Sequence, residues 1–183
     1  MKLFINFLTY SRILAGPIIF CLIFAEEFVI CFALFIFASL TDYFDGFLAR
    51  KHNLTSQLGE ILDPVADKIL IVFMFIGLSI YLDSFFLGIC SSFILMREFL
   101  ISALRESNAR NFKTNATKVT FLAKTKTSVQ LFTIAIFLTG LIFDYALIMF
   151  MANFFIFLAM LITIYTGLQY FLNSYQNNND QEA

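Results

Sequence analysis

The stretch TDYFDGFLARKHNLTSQLGEILDPVADK, from Thr41 to Lys68, interrupts a chain otherwise dominated by Phe, Ile and Leu. Asp42, Asp45, Gly46, Ala49 and Arg50 fall at offsets 0, 3, 4, 7 and 8, which is one face of an α-helix. Gly59, Asp63 and Asp67 fall at 0, 4 and 8, again one face. The spacing predicts two helical stripes that can face each other across the turn KHNLTSQL, with four carboxylates able to converge between them. The non-acidic members Gly46, Ala49 and Gly59 have little or no side chain and let a ligand approach the backbone.

Outward from this stretch the chain is oily. It has 183 residues, 60% of them hydrophobic, and a mean hydropathy of +0.84, where soluble domains average about half apolar or less. That is the length of one domain and the composition of a lipid-solvated protein. A helix needs about 20 mainly apolar residues to cross the hydrocarbon core. Six segments qualify at that scale: Asn6–Ala25, Phe28–Leu48, Ile61–Leu82, Phe85–Leu104, Thr120–Phe143 and Ala146–Leu172. The expected fold is an all-α membrane protein with six transmembrane helices. Residues 1–175 are expected to form a single membrane-embedded domain and residues 176–183 a polar tail, with NSYQNNNDQEA read as a solvated, frayed end.

Charge is segregated along the chain. All 12 Lys and Arg fall at one set of helix ends, from Lys2 and Arg12 through Arg50, Lys51 and Lys68 to the run between Arg97 and Lys126. The opposite loops carry Glu26, Glu27, Asp83 and Asp144. By the positive-inside rule, both termini and the aspartate-rich turn lie in the cytoplasm. Arg12 and Pro17 interrupt the first apolar stretch and no small-residue cleavage site follows, so this segment is expected to remain. Cys21, Cys31 and Cys90 sit in apolar runs without metal or disulfide spacing and read as packing residues. His52 reads as a solvated loop residue, and no nucleic-acid partner is expected.

Four carboxylates brought together at a lipid boundary repel one another and lose hydration, so they need cations. Oxygen-only ligation favours a hard divalent ion such as Mg²⁺, Mn²⁺ or Ca²⁺ over Zn²⁺, because no His or Cys belongs to the set. Two ions beside an arginine suit phosphorus chemistry, where they neutralise phosphate oxygens and align an in-line displacement. Simpler readings exist for the parts: Asp63-Pro64 as a helix cap followed by Pro at the first helical position, Asp42 and Asp45 as a solvated helix end, or the acids as an ion path.

Taken together, the residues spell D-x2-D-G-x2-A-R-x8-G-x3-D-x3-D from Asp42 to Asp67. This resembles the signature of the CDP-alcohol phosphatidyltransferase family. The resemblance implies a six-helix membrane enzyme, often a homodimer, that cleaves the pyrophosphate of a CDP-linked lipid or alcohol. By that likeness Asp42, Asp45 and Asp63 hold two Mg²⁺ or Mn²⁺ ions, and Asp67 serves as ligand, general base or both. Gly46, Ala49, Arg50 and Gly59 contact the CDP part.

Three further stretches resemble the bacterial phosphatidylglycerophosphate synthase branch of the family. NFLTYSR (Asn6–Arg12) is similar to its N-L-x-T-x-x-R, with Phe7 in place of Leu, and implies CDP contacts from Asn6 and Thr9. REFLISALR (Arg97–Arg105) is similar to R-E-x-x-x-S-x-L-R, and LAKTKTSVQ (Leu122–Gln130) to G-K-x-K-T-x-x-Q, with Ala123 in place of Gly. Glycerol 3-phosphate is a small dianion whose site needs fixed cations, and Arg97, Arg105, Lys124 and Lys126 are the candidates; Arg97 and Arg105, eight apart, share one side of a helix. Glu98 reads either as the salt-bridge partner of Arg97 or as an acceptor contact. Arg110, Lys113 and Lys118 read as headgroup anchors.

The expected function is therefore phosphatidyl transfer from CDP-diacylglycerol to sn-glycerol 3-phosphate, giving phosphatidylglycerol phosphate and CMP, at the cytoplasmic face of a bacterial inner membrane. Membrane lipids and a second copy of the chain are the expected partners. Two alternatives stand beside it. One keeps the chemistry and changes the acceptor to phosphatidylglycerol, serine or inositol phosphate. The other is a divalent-cation transporter using the aspartates as a coordination ring, although these acids gather at one membrane face instead of lining a crossing path.

Overall fold

The computed structural model describes the backbone of residues 2–52, 57–110 and 121–182, and the side chains of residues 10–41, 65–66, 68–106 and 126–172. Six helices are described: α1 (Lys2–Phe24), α2 (Phe28–His52), α3 (Gln57–Tyr81), α4 (Phe85–Arg110), α5 (Phe121–Phe143) and α6 (Ala146–Glu182). Each coincides with one of the apolar segments read from the sequence. Among the described residues three are long and apolar enough to cross a membrane: Phe85–Glu106, Lys126–Phe143 and Ala146–Leu172. The first three helices carry shorter apolar stretches there, Tyr10–Phe24, Phe28–Thr41 and Lys68–Tyr81. One expectation is corrected at the C-terminus: the backbone stays helical through Glu182 where a frayed end is expected. Ser, Asn and Gln are only moderate helix formers, but no Gly or Pro follows Gly167 to stop the helix.

Short turns on one side of the bundle join the helix pairs. Glu26, Asp83 and Asp144 adopt positive φ, at 61°, 46° and 47°. The Glu27 amide donates to the Leu22 carbonyl and the Glu26 amide to that of Ile23; Ser84 to Ser79 and Asp83 to Ile80 repeat the pattern. These are the paired bonds that close a helix over a left-handed residue, satisfying carbonyls that would otherwise be orphaned in lipid. Glu26 is also an acceptor for the Tyr81 hydroxyl at 3.3 Å, tying the first turn to the end of α3.

Packing is densest between α1 and α3, then α5 and α6, with α4 against α6 and α1 against α2. The α1–α3 approach depends on missing side chains. A Cβ on Gly16 would lie 3.1 Å from Phe73 and 3.2 Å from Ile69, and one on Gly77 would lie 3.1 Å from both Ile23 and Phe20. Small residues at such crossings let helix backbones come together where lipid offers no hydrophobic drive for association.

The cross-section is apolar at the rim and partly polar inside. Phe37, Phe85, Phe132, Phe150 and Phe154 are exposed. Ile19, Phe35, Met74, Leu78, Phe137 and Ile156 form the apolar interior. Buried beside them are Arg12, Arg97, Lys126, Gln130, Thr133, Thr163 and Thr166. In hydrocarbon, polar groups belong where they can find one another, and they do so toward the end that holds the Lys and Arg residues.

Candidate functional site

The aspartate signature spans two described helices. Asp42, Asp45, Gly46, Ala49 and Arg50 lie on the last three turns of α2, and Gly59, Asp63 and Asp67 on the first three turns of α3. The helical backbone therefore gives the Asp42/Asp45 and Asp63/Asp67 pairs the i,i+3 and i,i+4 relationships that their spacing requires. An oxygen-only donor set at this register fits hard divalent ions. The side chains of these residues, and those of Asn6, Thr9 and Lys124, lie outside the described residues.

What is described next to them is a small, mainly apolar cavity into which one buried arginine faces. Arg12, only 2% exposed, lines a space of about 40 Å³ together with Ala38, Ser39, Leu70, Ile71, Thr127 and Leu131. Ala38 and Ser39 precede Asp42 by about one turn of α2, and Leu70 and Ile71 follow Asp67 by about one turn of α3. Thr127 follows Lys126. The cavity therefore joins the aspartate-bearing ends of α2 and α3 to the start of α5.

From there Arg97 and Arg105 of α4 and Lys126 of α5 form one cationic cluster, with neutral partners on α6. Arg97 is 4% exposed and Lys126 8%. Lys126 Nζ is paired with Glu98 Oε1, and Arg97 Nη1 lies 3.5 Å from that same oxygen. Glu98 is thus a salt-bridge partner of Arg97, the first of the two readings left open by the sequence. Two cations share one carboxylate oxygen, so this part of the cluster retains positive charge. Arg97 Nη2 donates to Thr166 Oγ1 at 3.0 Å, and Arg105 Nη2 donates to the Tyr170 hydroxyl, also at 3.0 Å. The Tyr170 ring faces both guanidinium groups, with Cζ of Arg97 5.9 Å and that of Arg105 5.1 Å from its centroid. Nearby, Gln130 Nε2 donates to Thr163 Oγ1 at 3.4 Å, and Lys68 Nζ bonds to Ser102 Oγ, linking α3 to α4.

Buried cations are costly unless each N–H finds an acceptor. Arg97 Nε and Nη1 and Arg105 Nε are buried without a hydrogen-bond partner among the described residues. An oxyanion answers both deficits at once, supplying charge and acceptors. Of the sequence-predicted acceptor residues, the structure brings together Arg97, Arg105 and Lys126. Thr166 and Tyr170 were missed as partners of the two arginines, and Thr163 as the partner of Gln130. Their signal was present: offsets of 0, 3 and 7 make one polar stripe along an apolar helix.

A family model described as CDP-alcohol phosphatidyltransferase matches residues 3–167. A protein of Wigglesworthia glossinidia brevipalpis named CDP-diacylglycerol--glycerol-3-phosphate 3-phosphatidyltransferase is 44% identical over 130 residues, covering 69% of this chain and 71% of its own. A protein of the same name from Rickettsia bellii (strain RML369-C) is 37% identical over 170 residues, covering 91% and 92%. Another, from Salmonella choleraesuis (strain SC-B67), is 34% identical over 168 residues, covering 89% and 90%.

Proposed function

The chain belongs to the CDP-alcohol phosphatidyltransferase family, and from that premise we propose that it transfers a phosphatidyl group from CDP-diacylglycerol to sn-glycerol 3-phosphate. The observation that carries the choice of acceptor is the Arg97–Arg105–Lys126 cluster, whose buried donors and surplus positive charge suit a small phosphate dianion. A neutral acceptor, or phosphatidylglycerol already anchored in the membrane, has no such demand for a phosphate pocket. Membership of a transferase family also removes the ground for the cation-transport alternative.

In this reading the acyl chains of the donor stay in the leaflet while its CDP head enters between α2 and α3. Asn6, Thr9, Gly46, Ala49, Arg50 and Gly59 hold the CDP part, the small residues by admitting it to the backbone and Arg50 by pairing with phosphate oxygens. Asp42, Asp45, Asp63 and Asp67 are the residues to hold two Mg²⁺ or Mn²⁺ ions, which supply charge neutralisation at the pyrophosphate when bound. Arg97, Arg105, Lys124 and Lys126 seat the acceptor phosphate. The acceptor hydroxyl oxygen forms a bond to the lipid-side phosphorus, its proton passes to Asp67, and the bond from that phosphorus to the bridging oxygen breaks. CMP leaves with the bridging oxygen. The surroundings of this reading are six membrane spans in a bacterial inner membrane, termini and site on the cytoplasmic side, and a homodimer.

The test is CMP release by the purified protein in mixed micelles of CDP-diacylglycerol with Mg²⁺, offering glycerol 3-phosphate, phosphatidylglycerol, serine and inositol phosphate separately. Release with glycerol 3-phosphate alone is the expected result. Release with phosphatidylglycerol or serine instead would keep the transfer chemistry and overturn the phosphate pocket, whereas release with inositol phosphate would keep the pocket and overturn the choice of acceptor.

A further inference from the structure

We propose that α6 sets acceptor affinity through Tyr170, Thr166 and Gly167, which position the guanidinium groups of Arg97 and Arg105. The proposal rests on the reading of those two arginines as acceptor ligands and adds to it the residues that act through them.

Two arginines eight residues apart on α4 would, if left alone, sample many rotamers and present no fixed array to a phosphate. α6 removes that freedom at four points. Thr166, itself 1% exposed, accepts from Arg97 Nη2 at 3.0 Å, and Tyr170, 6% exposed, accepts from Arg105 Nη2 at 3.0 Å. The Tyr170 ring lies beneath both guanidinium groups, a favourable arrangement of cation and π-face that gains strength away from water. Gly167 fits between these partners: a Cβ there would stand 2.8 Å from Arg97 Cγ and 3.2 Å from its Nε, so the Arg97 side chain occupies the space that a larger residue would take.

The same contacts leave particular donors without a hydrogen bond. Nη2 of each arginine is engaged by α6, while Arg97 Nε and Arg105 Nε have no hydrogen-bond partner among the described residues, and Arg97 Nη1 has only its 3.5 Å ion pair with Glu98. On the outer side of the cradle lies an apolar groove of about 270 Å³ whose lining includes Arg97, Leu100, Leu104, Gly167 and Leu168.

The experiment is steady-state kinetics of the full chain in CDP-diacylglycerol micelles for the wild type, Tyr170→Phe, Arg105→Ala, the double variant and Gly167→Ala. Tyr170→Phe keeps the ring and removes the acceptor oxygen. It should raise KM for glycerol 3-phosphate about tenfold, equivalent to about 1.4 kcal/mol, with KM for CDP-diacylglycerol and the melting midpoint near wild type. Because the tyrosine acts through Arg105, the same substitution should add less than about twofold in the Arg105→Ala background. Gly167→Ala should also raise KM for the acceptor selectively, and it tests the arrangement at Arg97 should Tyr170→Phe fail to fold. If Arg105→Ala raises KM but Tyr170→Phe does not, or if the two effects simply multiply, the positioning role is wrong and the pocket survives. A parallel fall in stability and in every kinetic parameter would also overturn it, marking α6 as a structural wall only. If Arg105→Ala leaves acceptor KM unchanged, the pocket reading fails first.

Discussion

Lys126 at the start of α5 and Glu98 on α4 form an ion pair with side-chain exposures of only 10% and 16%. Removing one partner leaves the other charge buried and uncompensated, a loss of about 3 kcal/mol or more for such pairs. Glu98→Ala should therefore lower the melting midpoint in detergent clearly, and the paired change Glu98→Gln with Lys126→Met should be milder than the single one. Equal melting curves for wild type and Glu98→Ala would show the pair to be energetically idle.

In the proposed acceptor pocket, charge at Lys126 is expected to bear on substrate binding. Lys126→Met should raise KM for glycerol 3-phosphate at least about tenfold, the factor for about 1.4 kcal/mol of lost interaction, and change KM for CDP-diacylglycerol much less. Titration of the variant with each substrate separates the two, and a shift in the lipid substrate alone would move Lys126 to the donor side of the reaction.

For the aspartates the expectation is all or nothing. Asp42→Asn or Asp63→Asn should abolish CMP release while helical content by circular dichroism and the elution volume in detergent stay as in the wild type. Near-normal turnover in either variant would remove that residue from the ion-binding set.

Chelation gives an independent check. EDTA should stop the reaction, and added Mg²⁺ or Mn²⁺ should restore it. Electron paramagnetic resonance of Mn²⁺ should show binding to the wild-type protein that is weakened in Asp42→Asn; undiminished binding by that variant would place the ions elsewhere.

The left-handed turn at Asp83, with φ of 46°, predicts an asymmetric substitution pattern. Asp83→Gly should leave stability unchanged or slightly raised, whereas Asp83→Val should cost about 1–2 kcal/mol, because a β-branched side chain crowds the backbone at positive φ. Thermal melts of the two variants, which sit far from the cationic cluster, decide it.

Much of this was legible in the chain because lipid makes the code simple. The break at Glu26 and Glu27, the acid at Asp83 and the Asp144-Tyr145 pair interrupt long apolar runs, and each marks a turn. The helical register of the aspartate stretch was legible from spacing, since a helix converts offsets of three and four into a common face. The α6 partners were harder. Arg97 meets Thr166 across 69 residues of sequence and Arg105 meets Tyr170 across 65, and those contacts depend on how α4 crosses α6. Helical periodicity can place Thr163, Thr166 and Tyr170 on one stripe, but it says nothing of which helix that stripe faces. The long helical tail was missed for another reason: its polar composition argued for solvent exposure, which does not by itself end a helix.

The fully buried Gln130 and Thr163 sit in a bundle whose rim is phenylalanine. Each helix is about as comfortable against lipid as against its neighbour, so apolar area is a poor guide to which helices should associate. The sparse polar contacts, Gln130 with Thr163 and Arg97 with Thr166, discriminate among arrangements that oil alone would leave nearly degenerate. Fixing the Arg97 side chain and choosing the topology then fall to the same few contacts. The phenylalanine exterior can be redrafted with little effect on which helices meet, whereas drift in this interior grammar would corrupt assembly.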